Sequence, residues 1–472
     1  MSGRTGGHLA QWLDRRLHLA KFVTKAMNHV FPDHWSFMLG EVALYSFIIL
    51  VITGTFLAMF YNSSSAQVTY QGSYHALDGV KMSAAYESVM QLSFDVPAGL
   101  LIRQMHHWAA LIFIAAIVVH LARIFFTAAY RRPREINWLI GVTLLLFAFG
   151  NGFFGYSIAG DLLSGAGLRV AYAILLSVPV VGSWLTFLFL GGTVPVSVTL
   201  PRFYSFHIFL LPAVISVLLA FHLGIIWRQY HTNYPGPRRT DKTIVGSRLW
   251  PSYAAKSVGL FFLVFALVAL LGGLVQIDPI WVYGPYDPIA SMPGAQPDWY
   301  FGWIEGAMRL FPGINLHLGP YLIPEVFFPA VLLPALVFAA LYVYPFVEEF
   351  ICFDREYHNV LRLPYQQPIN TAIGCGFFVF LAVLFVAGGD DVIAVATAGS
   401  VVTIRIILRL LVFVAPPVAA VLVYMLCARA RRRHTASHPP APPEDVVVQE
   451  KTTDSSNEEV RTHCDWKEKC DW

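Results

Sequence analysis

The chain is short of charge. Asp, Glu, Lys and Arg supply 13% of its 472 residues, where a soluble globular protein carries about 25%. That excludes a water-soluble globular domain, a disordered chain and a coiled coil. Cysteine is scarce as well. Cys352, Cys375, Cys427, Cys464 and Cys470 include no Cys-x-x-Cys pair and no spacing typical of a disulfide framework. The net charge of +3 carries no signal for nucleic acid, and no nucleic-acid partner is expected.

Apolar residues, in contrast, make up 56% and aromatics 15%, which suits a membrane protein with interfacial Trp and Tyr. A bilayer core is about 30 Å thick and takes ~20 apolar residues as a helix. Eight such runs occur: Leu39–Tyr61, Leu100–Phe126, Trp138–Ile158, Phe206–Trp227, Val258–Val275, Leu322–Tyr344, Thr371–Ala387 and Val401–Cys427. The expected fold is an all-α membrane protein with eight transmembrane helices. The first run starts too late for a cleaved signal peptide. The leader, residues 1–35, mixes Leu, Trp, Phe and Val with Arg15, Arg16, Lys21 and Lys25. It reads either as an amphipathic helix on the membrane surface or as a plain basic lead-in.

Basic residues mark the sides. Of 32 Lys and Arg, 25 fall in the leader, the second–third, fourth–fifth and sixth–seventh links, and the tail. By the positive-inside rule these are cytoplasmic, so both termini lie there. The third–fourth and fifth–sixth links then lie outside. They are long and rich in Gly and Pro, and long links in compact proteins are usually functional. The tail, residues 429–472, is polar and reads as disordered. It carries Cys464 and Cys470, for which the sequence offers no role.

Four histidines fall in membrane runs at a repeated spacing. His106 and His120 are 14 apart in the second, and His207 and His222 are 15 apart in the fourth. At about 100° per residue, 14 steps return to within ~40° of the starting face and 15 to within ~60°. Each pair shares a face, its members roughly 21–22 Å apart along the helix. His107 lies nearly opposite His120 and reads as a satisfied neighbour. A lone polar residue in a membrane helix often just bonds to another helix. Two equivalent pairs on two helices running the same way instead set His106 opposite His207, and His120 opposite His222. Two His across a planar ring is bis-axial haem ligation, which suits electron transfer. Zinc would lack a tetrahedral set.

Glycines repeat the period: Gly40 and Gly54 in the first run, Gly141 and Gly155 in the third, each pair 14 apart. Glycine lets a backbone approach a bulky planar group. Residues 36–230 thus read as a four-helix dihaem bundle. Arg103 and Arg123 each lie three residues from a helix-two His, in reach of a haem propionate or snorkelling to the interface.

These segments resemble the cytochrome b subunit of quinol–cytochrome c reductases over roughly residues 32–344. The residues that carry it are Gly99–His106 (Gly-Leu-Leu-Ile-Arg-Gln-Met-His), His120-Leu-Ala-Arg123 and Thr199–His207. The most specific is Pro297-Asp298-Trp299-Tyr300, which looks like the family's Pro-Glu-Trp-Tyr. Asp298 is one methylene shorter than the family Glu. The 15-residue interval is similar to the chloroplast relative, but no Cys precedes Cys352 to hold that relative's extra haem. The Asp variant, the long tail and the single chain look like the actinobacterial, menaquinol-using branch.

The resemblance implies two haems b and a quinone as cofactors. Quinol would be oxidised outside and electrons carried to an inner quinone site, with proton translocation across a bacterial cell membrane. Asp298 would be the outer base, with Tyr156, Gly167, Pro297, Trp299 and Tyr300 around it. Glu305 stands at a pocket position with an open role. Lys256, His231 and Glu41 would serve the inner site, although the family Asp after the Lys is Ser257 here. Residues 231–345 would carry the fifth and sixth helices with the quinol-site loop, and 346–428 the last two. Expected partners are a Rieske iron–sulfur protein, a cytochrome c subunit, a second copy as a homodimer, and a terminal cytochrome oxidase. Arg405 and Arg409 would reach the outer interface or pair with a lipid or subunit. Two other readings stay open: a dihaem membrane anchor of a dehydrogenase or hydrogenase, and a haem-free transporter with a His proton relay.

Overall fold

The computed structural model describes residues 11–437 apart from 13, 193–195, 291 and 293–295. The tail with Cys464 and Cys470 lies outside the described residues. Among the described residues, eight helices are long and apolar enough to cross a membrane: Trp35–Ala58, Gly99–Phe126, Glu135–Ser157, Thr199–Gln229, Leu249–Leu274, Phe328–Cys352, Pro368–Gly388 and Val401–His434. They are called spans one to eight. The leader contains a helix, Leu19–Met27, with Phe22 and Val23 exposed.

The boundaries differ from the sequence reading at spans four, five, six and eight; span five begins at Leu249 rather than Val258, and span six runs on to Cys352. Span six begins at Phe328, because Leu316–Leu318 pairs antiparallel with Tyr321–Ile323 in a hairpin. Gly319, at φ 60°, makes the turn and Pro324 ends the second strand. An apolar count does not distinguish such a hairpin from a helix start. Span four begins at Thr199 and passes through a π turn at Phe206–Leu210. Span eight continues past Cys427, because the basic residues after it remain helical.

Spans one to four share a core with the fifth–sixth link: Phe47, Phe113, Ile114, Leu145, Ala148 and Ile215 form one buried cluster with Tyr300. In lipid there is little hydrophobic drive between helices, so shape fit and hydrogen bonds decide the packing. Both long links are structured. The third–fourth link folds into Leu162–Leu176 and Gly182–Leu190. The fifth–sixth link contains Ile280–Tyr283 and Gly302–Leu310.

Asp161 starts the first of these helices, its carboxylate accepting from the Leu163 amide at 3.1 Å. It is buried, and burial pushes its carboxyl up to about 6. A folded pKa above the unfolded one favours the protonated protein. The stabilisation is full below about pH 4 and lost as pH rises through about 6, worth at most roughly 3 kcal/mol. Asp161→Asn keeps a capping oxygen without the titration. The thermal midpoint of the parent chain should therefore fall between pH 4 and 6 relative to this variant. Parallel curves over that range would contradict the assignment.

Candidate functional site

The four membrane histidines face each other in two pairs. The His106 and His207 rings lie 6.0 Å apart, centroid to centroid, at 80°. Those of His120 and His222 lie 6.5 Å apart at 75°. A metal–imidazole bond is about 2 Å, and a ring nitrogen sits roughly 1 Å from its centroid. Two rings gripping one metal are therefore roughly 6 Å apart. Both pairs fit that spacing. His207 Nδ1 lies 3.0 Å from the Asn151 carbonyl, and His106 Nδ1 2.9 Å from the Thr53 hydroxyl. Such outer bonds orient an imidazole and leave Nε2 for a metal.

The π turn reconciles the unequal intervals. A π turn takes up one extra residue. Fifteen residues on span four thereby do the work of fourteen on span two, and both pairs meet in register.

Each periodic glycine backs one imidazole. A Cβ at Gly40 would sit 3.2 Å from His120 Cε1, one at Gly54 3.1 Å from His106 Cε1, and one at Gly141 3.8 Å from His222 Cε1. A Cβ at Gly155 would overlap the His207 ring. The shared period of the glycines is thus the period of the histidines. Beside each pair is an arginine with spare donors. Arg103 Nη2 donates to the Asp278 carbonyl at 3.1 Å while its buried Nε has no partner among the described residues. Arg123 lies over the Phe37 ring at 4.2 Å, and its buried Nη2 is also without a partner. Spare guanidinium donors fit an anionic substituent such as a propionate.

The end of the bundle nearer His106 carries the Pro297–Tyr300 motif. The Asp298 carboxylate takes a hydrogen bond from Tyr300 at 3.0 Å and lies 2.8 Å from His107 Nε2. His107 Nδ1 is 3.5 Å from Asp278. Tyr300 is 1% exposed, and the missing side chain at Gly152 makes its room. Burial, then the Asp298 charge, holds the Tyr300 phenol well above its ordinary pKa, so it remains a donor. Burial likewise raises Asp278. The Tyr156 hydroxyl donates to the Leu163 carbonyl at 3.2 Å, and its ring packs on Gly167. Trp299 is 37% exposed, leaving the motif open on that side. His107 is the satisfied neighbour the helix geometry predicted. Its partners Asp298 and Asp278 have no sequence signal, since the Asp298 contact spans 191 positions. Glu305 Oε1 takes Arg309 at 2.5 Å, and its buried Oε2 has no hydrogen-bond partner among the described residues.

At the opposite end, Lys256 pairs with Asp33 at 2.6 Å. The Glu41 carboxylate accepts from Ser257 at 2.6 Å and Tyr45 at 3.1 Å, and also from Tyr253. Ser257 stands where the resemblance leads one to expect Asp, and it brings the Glu41 carboxylate to that place. His231 packs against Phe31, 4.9 Å between centroids, with Nδ1 buried and unpartnered among the described residues. Burial, then Arg123, lowers its pKa to about 4, so it is neutral at pH 7. Phe31 stacks in turn on Tyr253 at 4.3 Å, so one aromatic pair separates His231 from the Glu41 group.

Arg405 and Arg409 each find a partner within the chain. Arg405 binds Asp390 through Nε and Nη2, both at 2.8 Å, and Arg409 Nε donates to the Leu310 carbonyl at 2.9 Å. Span eight packs beside the fifth–sixth link, and the sequence gives no hint of that proximity.

Residues 111–285 match the family model described as cytochrome b (N-terminal)/b6/petB. The cytochrome bc1 complex cytochrome b subunit of Mycobacterium tuberculosis is 48% identical over 386 residues, 82% of this chain and 70% of that protein. The chain belongs to the cytochrome b family. The subunit of the same name from Streptomyces coelicolor is 47% identical over 387 residues, 82% of this chain and 71% of that one. A solved chain titled hyperthermophilic respiratory Complex III superposes with a TM-score of 0.66. It covers 88% of this cytochrome b and 99% of that chain, at 21% identity, which shows the shared fold. As a cytochrome b, the chain is an integral membrane component of a quinol–cytochrome c oxidoreductase that binds haem b and interacts with quinone.

Proposed function

We propose that this cytochrome b holds two haems b in one bundle, ligated by His106 with His207 and by His120 with His222. It would oxidise menaquinol beside Asp298. The observation that carries this reading is the pair of matched ring gaps stacked along spans two and four, with the Asp298 carboxylate held at the end nearer His106. When bound, the haems supply one-electron redox chemistry across the membrane. The chain's own residues handle the protons and the positioning.

Quinol oxidation releases two electrons and two protons. One electron would leave to a Rieske iron–sulfur protein and a cytochrome c subunit, the other through the bundle. Asp298 Oδ1 and Oδ2 are held by His107 and Tyr300, so the carboxylate is aimed before substrate arrives. Tyr156 and Gly167 wall the same pocket, and Trp299 with Pro297 forms its open side. At the other end Glu41, Lys256 and His231 would surround the quinone that is reduced. Releasing protons at the Asp298 end and taking them up at the Glu41 end moves charge across the bilayer. With the basic links cytoplasmic, the Asp298 end faces outward and both termini inward. The relatives are actinobacterial, which favours menaquinol, a homodimer and a terminal oxidase as neighbour. Arg103 and Arg123 would pair with propionates.

The test is a reduced-minus-oxidised spectrum with haem quantified per chain. Two b-type haems per chain are expected. One or none would end the reading.

A further inference from the structure

The segment 297–309 carries the motif at its start and the helix Gly302–Leu310 behind it. Both of its ends fasten to one place, the end of span seven. Before the motif, Gln296 Nε2 donates to Asp391 Oδ1 at 3.1 Å. At the far end, Arg309 Nη1 lies 2.5 Å from Asp390 Oδ1 and 2.8 Å from the same Asp391 oxygen. Arg309 also takes Glu305 through Nε and Nη2, at 3.1 and 2.5 Å. Asp390 is fully buried, and its other oxygen holds Arg405 of span eight.

Between the two fastenings the contact is backbone on backbone. A Cβ at Gly306 would overlap the Leu384 carbonyl, and one at Gly388 would sit 2.5 Å from the Gly302 carbonyl. Two glycines thus allow the short helix to lie flat on span seven.

We propose that Gln296, Arg309, Asp390 and Asp391 form a clamp that positions Asp298, making them positioning residues for quinol oxidation; this rests on the reading of Asp298 as proton acceptor. The clamp acts through geometry. Asp298 contacts substrate on one side and His107 on the other, and a shift of about 1 Å at a reacting group can cost ~10²-fold in rate. Arg309 suits the task because a planar guanidinium engages several carboxylates at once, which an ammonium does not. Removing it leaves the buried Asp390 with Arg405 alone, Asp391 with no cation beside its Gln296 bond, and the half-buried Glu305 without its cation. Uncompensated buried charge is strongly disfavoured, so the segment would shift.

The experiment uses the assembled membrane complex and a short-chain naphthoquinol. Variants are Arg309→Gln, Arg309→Lys, Asp391→Asn and Gln296→Ala. Each is measured for haem content, for kcat and KM, and for hydrogen exchange over 297–309. Arg309→Gln and Asp391→Asn should keep both haems, lose about tenfold in kcat and exchange faster. Arg309→Lys should recover part of the loss, and Gln296→Ala should lose a few-fold. Unchanged kcat and KM in Arg309→Gln overturns the clamp. If that variant fails to assemble, unchanged kinetics in both Asp391→Asn and Gln296→Ala does the same. Loss of turnover in Asp298→Asn beside normal clamp variants defeats the clamp alone. No loss in Asp298→Asn defeats the proton-acceptor reading and, with it, the clamp's role in quinol oxidation.

Discussion

A His222→Leu variant should contain one haem per chain instead of two, with quinol turnover at background. His222 meets His120 at 6.5 Å between ring centroids, and Gly141 lies behind it. Leucine fills the volume but brings no nitrogen, so His120 alone cannot complete a six-coordinate centre. The His106–His207 pair lies more than half the bilayer away along the same helices and should stay loaded. One b-type signal remains, therefore, while the path to the inner end is cut. His207→Leu should lose the other signal. The check is haem quantification together with a reduced-minus-oxidised spectrum of each variant. Two full signals in His222→Leu would remove that residue from the ligand set.

The second large effect falls on Asp298. Asp298→Asn preserves size and still accepts from Tyr300, but an amide cannot take a proton from quinol. A positioned base contributes at least about 10²-fold, so kcat should drop by about that factor with both haem signals intact. Asp298→Glu should fall between the two, since the added methylene shifts the carboxylate against His107. Steady-state oxidation of a naphthoquinol by the complex measures this directly. Parent-like kcat in Asp298→Asn would exclude the carboxylate from the proton step.

Much of this architecture was legible because periodicity survives in a membrane helix. The four histidines, the four glycines and the two flanking arginines are all local patterns, read on a 3.6-residue repeat. The structure places His106 opposite His207, and His120 opposite His222, as that repeat required. The resemblance supplied what periodicity lacks, the importance of the Pro297–Tyr300 segment. What stayed hidden depends on long-range contact. No spacing links His107 to Asp298, Gln296 to Asp391, or Arg405 to Asp390. Glu305 stands at a pocket position by its place in the chain, and the sequence does not show how its two oxygens divide, one of them to Arg309. Span six was misplaced because Leu322 and Ile323 are as apolar in a strand as in a helix.

The wide turn at Phe206–Leu210 has a consequence for how such chains vary. A single inserted amino acid would ordinarily spin everything downstream by about 100° and carry His222 away from its mate. Here the surplus is absorbed within a few positions of His207, so the lower half of the helix never registers it. Insertions and deletions of one residue are thus survivable at that point and ruinous elsewhere between the two histidines. A search that insists on one fixed His–His interval would overlook chains that bind the same pigments by this local slack.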